Sequence, residues 1–297
     1  MTVGTAVSFE VYPPRSADRL AQLHESIRAL DSVDPEFISV TFGAGGSSTR
    51  DSLDVLCFIR DHSRAKPLAH LTCVGTTRAE AQELITGFVD QGITEFLALR
   101  GDLPEGESEH RGELHHAIDL VNLMKDGLEQ SGSIERIAVA AFPNGHPESA
   151  SLEEDIKTLL AKQEAGATLA ITQLFFFVED YLSFVQKASQ EGVTIPILPG
   201  LMPITSPTRL ARVLELTGEN NPRQLDQQLR STEDPVERVS IGTRWCADMI
   251  RDLVDAGAPG IHLYAFNQHE TVLSALEQAG VRYVHERIDK SPDAKTL

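Results

Sequence analysis

The chain is poor in cysteine, in tryptophan and in positive charge. Cysteine occurs three times among 297 residues, at Cys57, Cys73 and Cys246. These are far apart and odd in number, with no CxxC pair and no Cys/His metal spacing. A disulfide framework and a bound metal are not expected; buried free thiols in a reducing cytoplasm are. Lysine plus arginine number 26 against 44 for aspartate plus glutamate, a formal net charge of −18. Such a balance repels nucleic acid and anionic membrane. No apolar run reaches the ~18 residues of a spanning helix. Residues 1–9 lack the basic flank and long apolar stretch of a secretory signal. The glycine fingerprints GxGxxG and GxxxxGK[ST] are also missing.

What is present is an ordinary globular composition, 41% apolar and 24% charged, sufficient for a sizeable core. Short runs rich in β-branched and aromatic residues alternate with helical patterns. Strands are expected at about 6–12, 37–42, 68–74, 95–99, 137–142, 168–176, 196–201 and 260–266. Helices fill the intervals, with Thr76 or Thr77 as a cap, Glu80 three residues beyond Thr77 as in a capping box, and Gly166 closing the helix that Ser151 opens. An extra helical insertion is expected between the seventh and eighth strands, with a polar stretch at 218–235. Eight β-α periods without a dividing linker predict an α/β fold, a single (β/α)8 TIM barrel over residues 1–290, with a loose tail at 291–297.

Barrel chemistry occurs at the C-terminal ends of the strands, and polar residues recur there. Glu10 lies between Phe9 and Val11; a desolvated carboxyl has a raised pKa and suits general acid work. The structural alternative is a pair with an inward arginine such as Arg100. Asp102 follows Arg100-Gly101, where glycine lets a ligand approach; it can equally cap its own turn. His70 reads as a ligand contact or a hydrogen-bonded core histidine. Gln173 must pair with backbone or read a ligand, because a buried amide is costly unpaired. The stretch from Gly43 to Ser48 resembles a phosphate cradle or an ordinary βα loop. His110, His115 and His116 do not form a convincing metal set.

Ser8-Phe9-Glu10-Val11-Tyr12-Pro13-Pro14, Val40-Thr41-Phe42-Gly43-Ala44, His70-Leu71-Thr72-Cys73, Leu99-Arg100-Gly101-Asp102 and Ile171-Thr172-Gln173-Leu174-Phe175-Phe176 together resemble the methylenetetrahydrofolate reductase family, over about residues 6–280. The resemblance implies a barrel that reduces 5,10-methylenetetrahydrofolate to 5-methyltetrahydrofolate, with hydride passing from NADH or NADPH to FAD and then to the folate. It implies Glu10 as general acid and Asp102 as the acidic residue near flavin and pterin. Substrate contacts fall on Gln173, Thr41 and Gln268. The flavin site falls on Thr41, His70, Arg100, Gly101, Asp102, Ala117, Phe142, His146, Asp155 and Lys162.

The chain departs from the family pattern in places. Phe142 replaces an aromatic hydroxyl, Thr158 an asparagine, and Leu160-Ala161 a Lys-Arg pair, which removes positive charge from a phosphate site. His116 replaces an aromatic residue. Pro207 stands where a stacking phenylalanine is frequent, and Gln268 where the family has arginine. Direct hydride transfer without a flavin, a folate-binding barrel without reductase activity, and an unrelated barrel lyase or isomerase are the competing readings. Location is expected to be cytoplasmic, and self-association is left open.

Overall fold

Strands that are apolar on both faces can be buried only between a filled interior and a layer of helices, and the computed structural model has that arrangement. It describes residues 5–14, 16–42, 49–101, 112–131 and 134–280. The loop at 43–48, Asp102, His110 and the tail at 291–297 lie outside the described residues.

Among the described residues, nine short parallel strands form one sheet: β1 (Ala6–Val11), β2 (Phe37–Val40), β3 (Lys66–Thr72), β4 (Glu95–Leu99), β5 (Arg136–Ala141), β6 (Leu169–Thr172), β7 (Ile197–Leu198), β8 (Gly200–Leu201) and β9 (Gly260–Tyr264). Their order is β7-β6-β5-β4-β3-β2-β1-β9-β8. The seventh expected strand is thus two pieces. Ile197 and Leu198 pair with β6, Gly200 and Leu201 pair with β9, and Pro199 sits between. Pro199 has no N–H to give, but its carbonyl accepts the His262 amide at 3.0 Å. Residues 197–201 therefore bridge the two ends of the sheet and bring the ring to near closure, as a (β/α)8 barrel requires.

The period of two along each strand decides what faces inward. Phe37, Leu68, Leu97, Ala138, Leu169, Ile171 and Leu198 pack together inside the barrel. Val7, Phe9 and Val11 face the other way, into the larger core beneath the helices. The helices are α1 (Ala17–Leu30), α2 (Thr49–His62), α3 (Arg78–Asp90), α4 (Ala117–Ser131), α5 (Leu152–Ala165), α6 (Val178–Gln190), α7 (Pro207–Thr217), α8 (Arg223–Arg230), α9 (Pro235–Asp255) and α10 (His269–Ala279). Thr77 and Glu80 form the reciprocal capping box at α3. Ser151 caps α5, and Gly166 ends it with φ 122°.

Helix α8 lies within the polar stretch at 218–235, and its Leu225 and Leu229 are fully buried with Leu174, Phe176, Met202, Ile204 and Leu210. One expectation is corrected. The sixth strand ends at Thr172 rather than 176; Phe175 leaves the ladder and stacks on Tyr181. Cys73 and Cys246 are buried as expected, whereas Cys57 is half-buried. Among the described residues no helix is long and apolar enough to cross a membrane.

Candidate active site

Glu10 stands beside Ser39 of β2 and Tyr264 of β9, while Ser8 stands beside His262. Ser8, Glu10, His262 and Tyr264 share the inward face by the same alternation that sends Phe9 outward. From β3, His70 reaches the same point. The Glu10 Oε2 lies 3.6 Å from His70 Nε2 and 3.9 Å from His262 Nε2. The Nδ1 of His262 lies 2.8 Å from the Ser8 hydroxyl, which fixes the ring and leaves Nε2 toward Glu10. Both Nε2 atoms are buried without a hydrogen-bond partner. A carboxylate thus faces two imidazole edges in a site from which water is largely excluded.

This arrangement corrects the expected electrostatics of Glu10. Burial does push its carboxyl up, but the neighbouring His262 and His70 imidazoles outweigh it, and the group sits below its ordinary value. Burial lowers the His70 imidazole, against an opposing pull from Glu10. Arg100 does not pair with Glu10; its guanidinium meets Glu148 in the loop after β5.

Tyr264 closes one wall. Its hydroxyl donates to the Thr172 carbonyl at 2.6 Å; burial, aided by the charge of Glu10, drives the phenol well above its ordinary value. Gly200 makes that reach feasible: a Cβ there would collide with the Thr172 carbonyl and lie 2.7 Å from the Tyr264 oxygen.

The other expected site residues fall into three groups. At the barrel mouth with Glu10 and His70 are Thr41, whose hydroxyl is buried and unpartnered, and Gly101, whose φ of 87° and contact with Thr72 need the absence of a side chain. Gln173 follows the last residue of β6, and its carboxamide oxygen accepts the Leu174 amide at 2.8 Å. Across the β5 loop, Phe142 meets His146 edge-on at 4.7 Å. Asp155 shapes that loop by accepting the His146 amide at 2.8 Å and the Ser149 hydroxyl at 2.6 Å. Lys162 donates to the Ala140 carbonyl at 3.4 Å. Farther out, Ala117 is buried at the start of α4, and Gln268 precedes α10, exposed and bonded to Arg209.

Sequence reasoning missed His262 and Ser8. A signal existed: Ile261-His262-Leu263 places an imidazole in an apolar strand just as Ala69-His70-Leu71 does. Among the described residues no group of three or more His, Cys, Asp or Glu side chains is placed to hold a metal ion.

Comparison with known proteins supplies independent findings. The family model described as methylenetetrahydrofolate reductase matches residues 2–280. The chain is 33% identical over 277 residues to the 5,10-methylenetetrahydrofolate reductase of Escherichia coli (strain K12), covering 93% of this chain and 91% of that one. It is 30% identical over 306 residues to a protein of Arabidopsis thaliana named methylenetetrahydrofolate reductase (NADH) 1, covering 99% of this chain and 50% of that one. Among solved structures, an uncharacterized protein from Clostridium thermocellum, described as binding two copies of 5-methyl-5,6,7,8-tetrahydrofolic acid, superposes with a TM-score of 0.62 at 15% identity. It covers 94% of this chain and 95% of its own. At that identity the likeness concerns the fold.

Proposed function

The chain belongs to the methylenetetrahydrofolate reductase family, and from that premise we propose that it reduces 5,10-methylenetetrahydrofolate to 5-methyltetrahydrofolate with hydride from NADH or NADPH. The observation that carries the reading is Glu10, a carboxylate at the barrel mouth held between His70 and His262. The one-carbon bridge of the substrate joins two nitrogens. One C–N bond must break to an iminium before carbon can accept hydride, and the departing nitrogen takes a proton. One proton and one hydride are consumed, and the product carries a methyl group.

Glu10 delivers that proton. In the resting site the neighbouring imidazoles stabilise its anion, so Glu10 takes up a proton from solvent before bond cleavage and passes it to the departing nitrogen. Ser8 keeps His262 turned toward Glu10. Tyr264 and the buried wall around it exclude water, which strengthens these interactions. Asp102 is assigned from the resemblance as the second acidic group.

FAD, when bound, supplies a hydride relay between nicotinamide and folate. The ring end of a flavin fits the residues present: Thr41 and His70 carry buried polar atoms without hydrogen-bond partners. Thr41, His70, Arg100, Gly101, Asp102, Ala117, Phe142, His146, Asp155 and Lys162 would hold it. Direct transfer from nicotinamide to the iminium is the second reading. It is favoured by the phosphate end, where Lys162 turns to a main-chain carbonyl and Leu160-Ala161 offer no charge. We place the enzyme in the cytoplasm as one catalytic domain.

The test is absorbance of the purified protein followed by assay with each nicotinamide. Yellow protein that forms 5-methyltetrahydrofolate supports the relay, and colourless active protein supports direct transfer. Absence of product with either donor overturns the reductase reading.

A further inference from the structure

We propose that Arg209 anchors the carboxylate-bearing glutamate tail of the folate, with Tyr12 and Phe266 flanking its aminobenzoyl ring. This rests on the folate reading above and assigns a subsite to it.

The first observation is a strained corner. Phe266 and Asn267 are consecutive non-glycine residues with φ of 47° and 58°, a conformation that disfavours side chains and persists only when its surroundings enforce it. The Asn267 carboxamide enforces it. Its oxygen accepts the Tyr12 amide at 3.0 Å and its nitrogen donates to the Tyr12 carbonyl at 2.8 Å, extending the β1–β9 pairing past the strand ends. Ser26 donates to the Asn267 carbonyl, and the Gln268 amide to Ala265. The result holds two aromatic rings out at the rim, Phe266 43% and Tyr12 37% exposed, edge to face at 6.3 Å.

The second observation is the cation between that corner and α7. Arg209 is half-buried in the first turn of α7. Its guanidinium lies 5.9 Å from the Phe266 ring centre and donates to the Gln268 Oε1 at 3.3 Å. Both partners are neutral. Among the described residues no carboxylate lies within ion-pair distance of Arg209, in a chain whose formal net charge is −18. The cation reaches to residue 268, the position where the resemblance places an arginine. Charge absent from one element is supplied by its neighbour.

The third is reach. The nitrogen that Glu10 protonates is bonded directly to the benzoyl ring, and the glutamate follows that ring. Tyr12 is two residues beyond Glu10, about 7 Å along β1 at strand rise. Ring and tail thus leave the site toward Tyr12, Phe266 and Arg209. Guanidinium pairs well with carboxylate and tolerates an aromatic neighbour.

The anion could also be a phosphate of the dinucleotide, and the experiment separates the two. Equilibrium binding of 5-methyltetrahydrofolate, of 5-methyltetrahydropteroate (which lacks the glutamate) and of NADH is measured for wild type, R209Q and the double variant R209Q/Q268R. We expect R209Q to weaken the folate about tenfold, with the tail-less analogue and NADH within about twofold of wild type. The double variant should recover most of the loss.

Unchanged folate binding in R209Q overturns the assignment, as does equal loss for the tail-less analogue or a loss confined to NADH. A double variant as weak as R209Q overturns the charge argument. Wild type that binds neither folate overturns the parent reading; wild type that binds folate while R209Q matches it overturns the tail subsite alone.

Discussion

Glu10 concentrates the residue-scale argument. Apolar neighbours would by themselves keep a carboxyl neutral, and from Phe9 and Val11 that was the natural expectation. His70 and His262 reverse the sign. Replacement of His262 by glutamine removes one imidazole while roughly preserving size, so the Glu10 titration should move to higher pH. The check is the pH dependence of folate reduction, or isotope-edited carboxylate spectra, in wild type and H262Q. A titration that stays in place or moves down would contradict the assigned cause. Glu10 was legible because a carboxylate in an apolar strand has no ordinary packing role. His262 was not, because a single histidine in such a strand reads equally as core, and only the β1–β9 register brings it to Ser8 and Glu10.

At the scale of elements, close approach decides several features that composition does not reveal. Gly242 lies within α9, where alanine normally gains ~1 kcal/mol over glycine. Here an added Cβ would collide with the Ile204 carbonyl, so the helix would have to shift. G242A should therefore lose about 2 kcal/mol or more of stability, read from its urea unfolding midpoint; a more stable variant would contradict the packing described. The alternation of strands and helices was readable from periodicity, as were the caps at Thr77 and Ser151. The bounds of helix α8 were not, because its sequence RQLDQQLR carries only two apolar residues and gains its place by burying both. Nor was the break in the seventh strand, where Pro199 interrupts pairing while its carbonyl still serves β9.

Over the whole molecule, the two ends of the barrel carry different electrostatics. The C-terminal mouth holds the Glu10 cluster. The N-terminal end holds Arg136, buried and paired with Glu36 and with Glu95, the latter at 3.2 Å. One guanidinium faces two carboxyls there, and burial raises Glu95 from 4.5 to about 7, against the opposing pull of Arg136. The folded chain holds a proton that the unfolded chain releases. The stabilising contribution of this group is therefore full below about 4.5 and is lost as pH rises through about 7. E95Q should flatten the decline in unfolding free energy between those values. A variant with the wild-type slope would remove Glu95 as its source. The fold class was legible from eight β-α periods, whereas this buried triad was not. Glu36, Glu95 and Arg136 are far apart in sequence and look like surface charges at strand starts until the barrel closes around them.

The central claim is that Glu10 supplies the proton that opens the one-carbon bridge. The most direct test compares wild type and E10Q for formation of 5-methyltetrahydrofolate, with folate and nicotinamide binding measured on the same preparations. The account predicts at least about a hundredfold loss of product formation with both ligands still bound near wild-type affinity. Product formed at the wild-type rate by E10Q, or folate and nicotinamide binding lost together with activity, would contradict it.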